Sequence, residues 1–148
     1  MRHVGWAVAL GGWMLMACAS QSGAAGGGGS PFPTGTSLVA SEWVLVDLSG
    51  TPIPESSRPP TLVFFEPGKI SGSGSCNRFN GTVEVGELGV VKVGPLATTR
   101  MACPPPLGDQ ETAYLTALEK AERMGMEGEQ LIIYSQGVEK PLRFKRTK

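Results

Sequence analysis

Ser71, Ser73 and Ser75 alternate through a glycine-rich stretch, and a serine hydroxyl becomes a useful nucleophile only beside a base. The chain's single histidine, His3, precedes an apolar run at the start, so none is at hand to activate them. Lys69 or Lys92 could serve instead, but only if desolvated. Asp109 and Glu111 form a carboxylate pair, although two acidic residues at a helix start already suit the helix dipole without acid–base work. Arg78 and Arg100 could pair with Glu111 or bind an anion, and a structural or solvated ion pair is the expected role. Asn77 and Asn80 read as turn residues, because asparagine tolerates left-handed backbone and bonds back to it. Gly72-x-Gly74 lacks the strand–glycine–helix context of a phosphate loop. No catalytic residue, metal site or cofactor is expected from these types.

The three cysteines divide into one and two. Leu15-Met16-Ala17-Cys18 closes an uncharged run over 4–16 that follows Met1-Arg2-His3. As a helix that run would span about 20 Å, short of the ~30 Å hydrocarbon core, and Gly11 and Gly12 weaken it further. An export signal ending at Ala17 fits better, with Cys18 as the lipidated first residue. Ala19 rather than aspartate after the cysteine points to an outer membrane facing the periplasm. Cys76 and Cys103 remain, and in an oxidising compartment they are expected to form a disulfide rather than stay as two free buried thiols.

Segment 19–37 is rich in Gly, Ser, Ala and Pro around Gly26-Gly27-Gly28-Gly29-Ser30, the composition of a flexible tether. The chain therefore divides into a signal segment over 1–17, a lipidated tether over 18–40 and one domain over 41–146. Lys and Arg number thirteen, as do Asp and Glu, which leaves no basic field for nucleic acid. Arg143, Lys145, Arg146 and Lys148 cluster near the end and read as the solvated end of a last strand rather than a membrane-binding patch.

Short strands are predicted at 43–48, 61–65, 69–72, 82–85, 88–93, 96–101, 130–134 and 141–145. Segment 73–81 is too rich in Gly, Ser and Asn for a regular central strand. One helix is expected, capped by Gly108 or Asp109 and stopped at Gly125. Tyr114, Leu115, Ala117, Leu118 and Ala121 form its apolar stripe, and Glu119, Lys120, Glu122 and Arg123 face water. The fold class is α+β: a small curled, barrel-like antiparallel sheet with one amphipathic helix packed against it.

Two blocks carry a resemblance. Gly72-Ser73-Gly74-Ser75-Cys76-Asn77-Arg78-Phe79-Asn80-Gly81 and Leu96-Ala97-Thr98-Thr99-Arg100-Met101-Ala102-Cys103 resemble the META domain family, the HslJ-like heat-inducible lipoproteins. Cys76, Asn77, Phe79 and Gly81 match the family pattern, whereas Ser75 stands where glycine is usual. The resemblance extends from Trp43 to Phe144. It implies a cell-envelope protein connected with stress tolerance, and no established catalytic mechanism. Asn77, Phe79, Gly81, Thr99, Arg100, Met101 and Glu111 are then structural motif residues. The expected function is that of a membrane-anchored, non-enzymatic envelope lipoprotein that binds an envelope partner. A small periplasmic hydrolase and a tethered inhibitor of a wall-degrading enzyme are the alternatives.

Overall fold

The computed structural model describes residues 32–148; the apolar run and Cys18 lie outside the described residues. Among the described residues no helix is long and apolar enough to cross a membrane.

The strands alternate buried and exposed residues, which dictates a sheet with one face turned inward. They are β1 (Ser41–Leu48), β2 (Thr51–Pro52), β3 (Thr61–Glu66), β4 (Lys69–Ser73), β5 (Arg78–Val85), β6 (Val91–Val93), β7 (Ala97–Thr98), β8 (Ala121–Glu127), β9 (Gln130–Ser135) and β10 (Leu142–Arg146). The order β6-β5-β4-β3-β1-β10-β9-β8 is antiparallel throughout, with β2 beside β1 and β7 beside β5. A bridge between Val90 and Arg123 draws the two outer strands together, so the sheet nearly closes into a barrel. The main helix, α2 (Leu107–Glu119), packs against it. Tyr114 of α2 is fully buried, edge-on to Phe79 at 6.0 Å and to Phe144 at 6.2 Å between centroids. Each such pair contributes about 0.5–1.5 kcal/mol beyond its area burial.

Several elements depart from the sequence expectation for identifiable reasons. The helix ends at Glu119, and the chain turns directly into β8 rather than continuing to Gly125. Ala121 and Met124 are both buried, three residues apart as on a helix face, because a register shift between Ala121 and Arg123 restores a common face to a strand. The residue preceding the helix is Pro106, which offers no side-chain cap; neither Gly108 nor Asp109 fills that position. Segment 73–81 is not loop throughout. Arg78 to Gly81 open β5, a central strand, and the absent side chain of Gly81 leaves the space that Leu96 occupies. Only Val91–Val93 of 88–93 is strand, since Leu88 turns with φ +54°.

The ordered domain also begins before residue 41. Thr34 and Ser37 cap a short helix, α1 (Gly35–Leu38), reciprocally: the Thr34 hydroxyl accepts from the Ser37 amide and the Ser37 hydroxyl from the Thr34 amide. Leu38 is buried in the core, and the Ser41 hydroxyl donates to its carbonyl. Residues 32–40 are thus part of the domain rather than of a tether. Small and polar types disguised them, because one leucine and a capping pair suffice to dock one helical turn.

Candidate functional site

The two sequence blocks meet through a disulfide and a side-chain amide. Cys76 and Cys103 are bonded, with Cα atoms 6.2 Å apart. Next to the bridge, the buried Asn77 side chain uses every hydrogen-bonding position an amide has. Its Nδ2 donates to the Met101 carbonyl at 3.2 Å and to Glu111 Oε1 at 2.7 Å. Its Oδ1 accepts from the Met101 amide at 2.6 Å and from the Thr99 hydroxyl at 3.0 Å. Asn77 therefore does the work of a neighbouring strand for Met101, whereas the Thr99 amide still reaches the Arg78 carbonyl, and 96–101 is strand only at Ala97–Thr98. It is a cross-link between distant segments, not a local turn.

Glu111 holds the other side. Its Oε2 accepts from the backbone amides of Cys76 at 3.0 Å and Asn77 at 2.6 Å. Burial pushes its carboxyl pKa up, but the bonds from the Asn77 side chain and from the Asn77 and Cys76 amides outweigh this, leaving it below the ordinary value. Glu111 is the fifth residue of α2, beyond the first turn where the helix dipole acts, so these three donors hold its charge. The expected pairing with Arg78 or Arg100 does not form. Both arginines are exposed, and no ion pair involves them among the described residues. Gly74 lies directly over the carboxylate, where a Cβ would sit 2.6 Å from Glu111 Cγ.

A depressed native carboxyl pKa contributes stability that is present above the unfolded value, about 4.3, and is lost as pH falls through the native value. Wild-type protein should therefore lose melting temperature below about pH 4.3 more steeply than Glu111→Gln, which is destabilised at neutral pH. Thermal melts from pH 7 to 2.5 check this; parallel curves would remove Glu111 from the acid response.

Ser75, where the motif favours glycine, adopts φ +113°. Its hydroxyl accepts from Gln110 Nε2 at 2.7 Å, a contact with α2 that no sequence pattern indicated. Backbone strain there exceeds what one partly buried hydrogen bond returns, so Ser75→Gly should raise stability by about 1 kcal/mol. A chemical denaturation midpoint that falls instead would assign the larger share to the Gln110 bond.

Phe79 leaves the cluster for the core, Gly81 packs under Leu96, and Met101 exposes its side chain while both its backbone groups bind Asn77. The Tyr114 hydroxyl donates to the Thr61 carbonyl at 3.1 Å, and burial raises its pKa far above the ordinary phenol value. Lys69 sits on an exposed hairpin, 2.7 Å from Glu66, and is not desolvated. No cluster of metal-binding side chains occurs among the described residues.

An open cleft of about 730 Å³ lies elsewhere, between Trp43, Met126, Gln130 and the C-terminal strand. Its cations are occupied: Lys145 faces Glu55 at 3.6 Å, Lys148 faces Glu42 at 3.4 Å, and Arg146 lies over Trp43 at 5.6 Å. These exposed pairs are worth little individually, but they spread the local charge.

The META domain family model matches residues 36–148. No curated protein matches the sequence significantly. Among solved structures, an NMR structure of a protein shares 29% identity over 77% of this chain and 95% of that one, with a TM-score of 0.63. An NMR structure of a protein from Burkholderia xenovorans also shares 29% identity, covering 81% of this chain and 92% of its own, again at 0.63. A DUF4847 family protein from Bacteroides vulgatus, 14% identical with a TM-score of 0.54 over 73% of this chain and 93% of that one, shares the fold.

Proposed function

The chain belongs to the META domain family, and from that premise we propose that it is a membrane-tethered envelope lipoprotein whose domain binds rather than catalyses. One observation carries this reading. The motif groups that could do chemistry, the amide of Asn77, the carboxylate of Glu111 and the two cysteines, are used by one another to join β5, the 99–103 segment and α2. The serine–lysine alternative finds less support, since Lys69 is exposed and paired. Stress tolerance is the setting the family suggests, and Ala19 after Cys18 favours the outer membrane, facing the periplasm.

Cys18 is the decisive residue for anchoring. In the native host, wild-type protein is expected in the membrane fraction with a diacylglyceryl thioether on Cys18. Cys18→Ser should yield uncleaved precursor or soluble protein. A Ser variant that stays in the membrane with wild-type mobility overturns the anchor.

A further inference from the structure

With Glu111 bound to Asn77, Arg78 has no ion-pair partner among the described residues, and it projects onto a polar face of the barrel. The strand register aligns Thr61, Ser73 and Arg78 across β3, β4 and β5, and sets Ser71 opposite Asn80 one step along. Neighbouring strands are about 4.8 Å apart, so these side chains fall within reach of one small ligand. They line an open depression of about 470 Å³ that has no acidic residue in its lining.

The face is rich in donors. The Thr61 hydroxyl oxygen accepts the Ser73 amide at 3.0 Å, and the Ser73 oxygen accepts the Ser75 amide at 3.4 Å. Each of these bonds uses one lone pair of its hydroxyl oxygen, which leaves both hydroxyls able to donate to a ligand. Asn80 and the five N–H groups of Arg78 add more. The base of Arg78 is fixed as well, since its amide donates to the Thr99 hydroxyl and its carbonyl accepts the Thr99 amide, both at 3.0 Å. A guanidinium rising from a fixed backbone suits a phosphate or carboxylate, and surrounding hydroxyls and an amide suit a polyol.

We propose that this face binds an anionic sugar, with Arg78 taking the phosphate or carboxylate and Ser71, Ser73 and Asn80 meeting the hydroxyls. The proposal rests on the reading of the domain as a binding module and is independent of the lipid anchor. Its test uses the chain from residue 18 onward carrying Cys18→Ser, followed by amide NMR during titration with glucose 6-phosphate, glucuronate, glucose and inorganic phosphate. Glucose 6-phosphate and glucuronate should shift β4 and β5 resonances around Ser71, Ser73, Arg78 and Asn80, with millimolar dissociation constants. Inorganic phosphate should bind at least about 10-fold more weakly, and neutral glucose more weakly still. Arg78→Ala should weaken the two anionic sugars at least about 10-fold at unchanged melting temperature, while Lys92→Ala, on another strand, should not. Equal binding of inorganic phosphate and glucose 6-phosphate would overturn the sugar assignment. Absence of shifts on this face, or wild-type affinity in Arg78→Ala, would overturn the site altogether.

Discussion

Asn77→Ala is expected to lower the free energy of unfolding by about 3 kcal/mol, against about 1 kcal/mol for an asparagine that only shapes a turn. Four hydrogen bonds disappear together, one of them to a carboxylate. The loss extends beyond the bonds themselves, because the Met101 amide and carbonyl have no strand partner to fall back on. Asn80→Ala, three residues further on, within β5 and exposed, should change stability by less than about 0.5 kcal/mol. Urea denaturation of both variants at neutral pH measures the contrast. Equal losses at the two positions would reduce Asn77 to an ordinary surface residue.

Removing the bridge is the second large effect. Cys76 and Cys103 are separated by 27 positions, and on the chain-entropy model a closed loop of that length stabilises by about 3–4 kcal/mol. The Cys76→Ala/Cys103→Ala variant should lose that amount at the denaturation midpoint. Its native fold should persist, since Asn77 and Glu111 tie the same segments without the sulfurs. Near-native amide spectra with a lowered midpoint are therefore expected. A variant that is unfolded at 25 °C would show that the polar clamp cannot hold the two blocks alone.

Strands with alternating burial and the stripe of Tyr114, Ala117 and Leu118 were legible because periodicity records which face meets the core. The cysteine pair was legible from counting. The failures are local competitions that a pattern does not encode. Ala121 and Met124 mimic a helix because a bulge resets the strand's face. Residues 96–101 look like a strand, yet only Ala97 and Thr98 pair as one, and Met101 bonds to a side chain instead of to a neighbouring backbone. Glu111 looked like a dipole-compensating residue or an arginine partner, and its real donors lie 34 and 35 positions away. Such contacts follow from the fold, and sequence spacing gives no hint of them. The motif of the first block was thus readable as important before it was readable as architecture.

A double-mutant cycle on Asn77→Ala and Glu111→Ala, with unfolding free energies of all four proteins at neutral pH, bears most directly on the claim that the motif is a structural clamp. The two side chains share a bond of 2.7 Å, and Glu111 also holds the Asn77 amide at 2.6 Å. The clamp requires strong coupling, about 1–3 kcal/mol, with the double variant far less destabilised than the sum of the singles. Losses that add to within about 0.5 kcal/mol would mean that Asn77 and Glu111 act independently, and would contradict it.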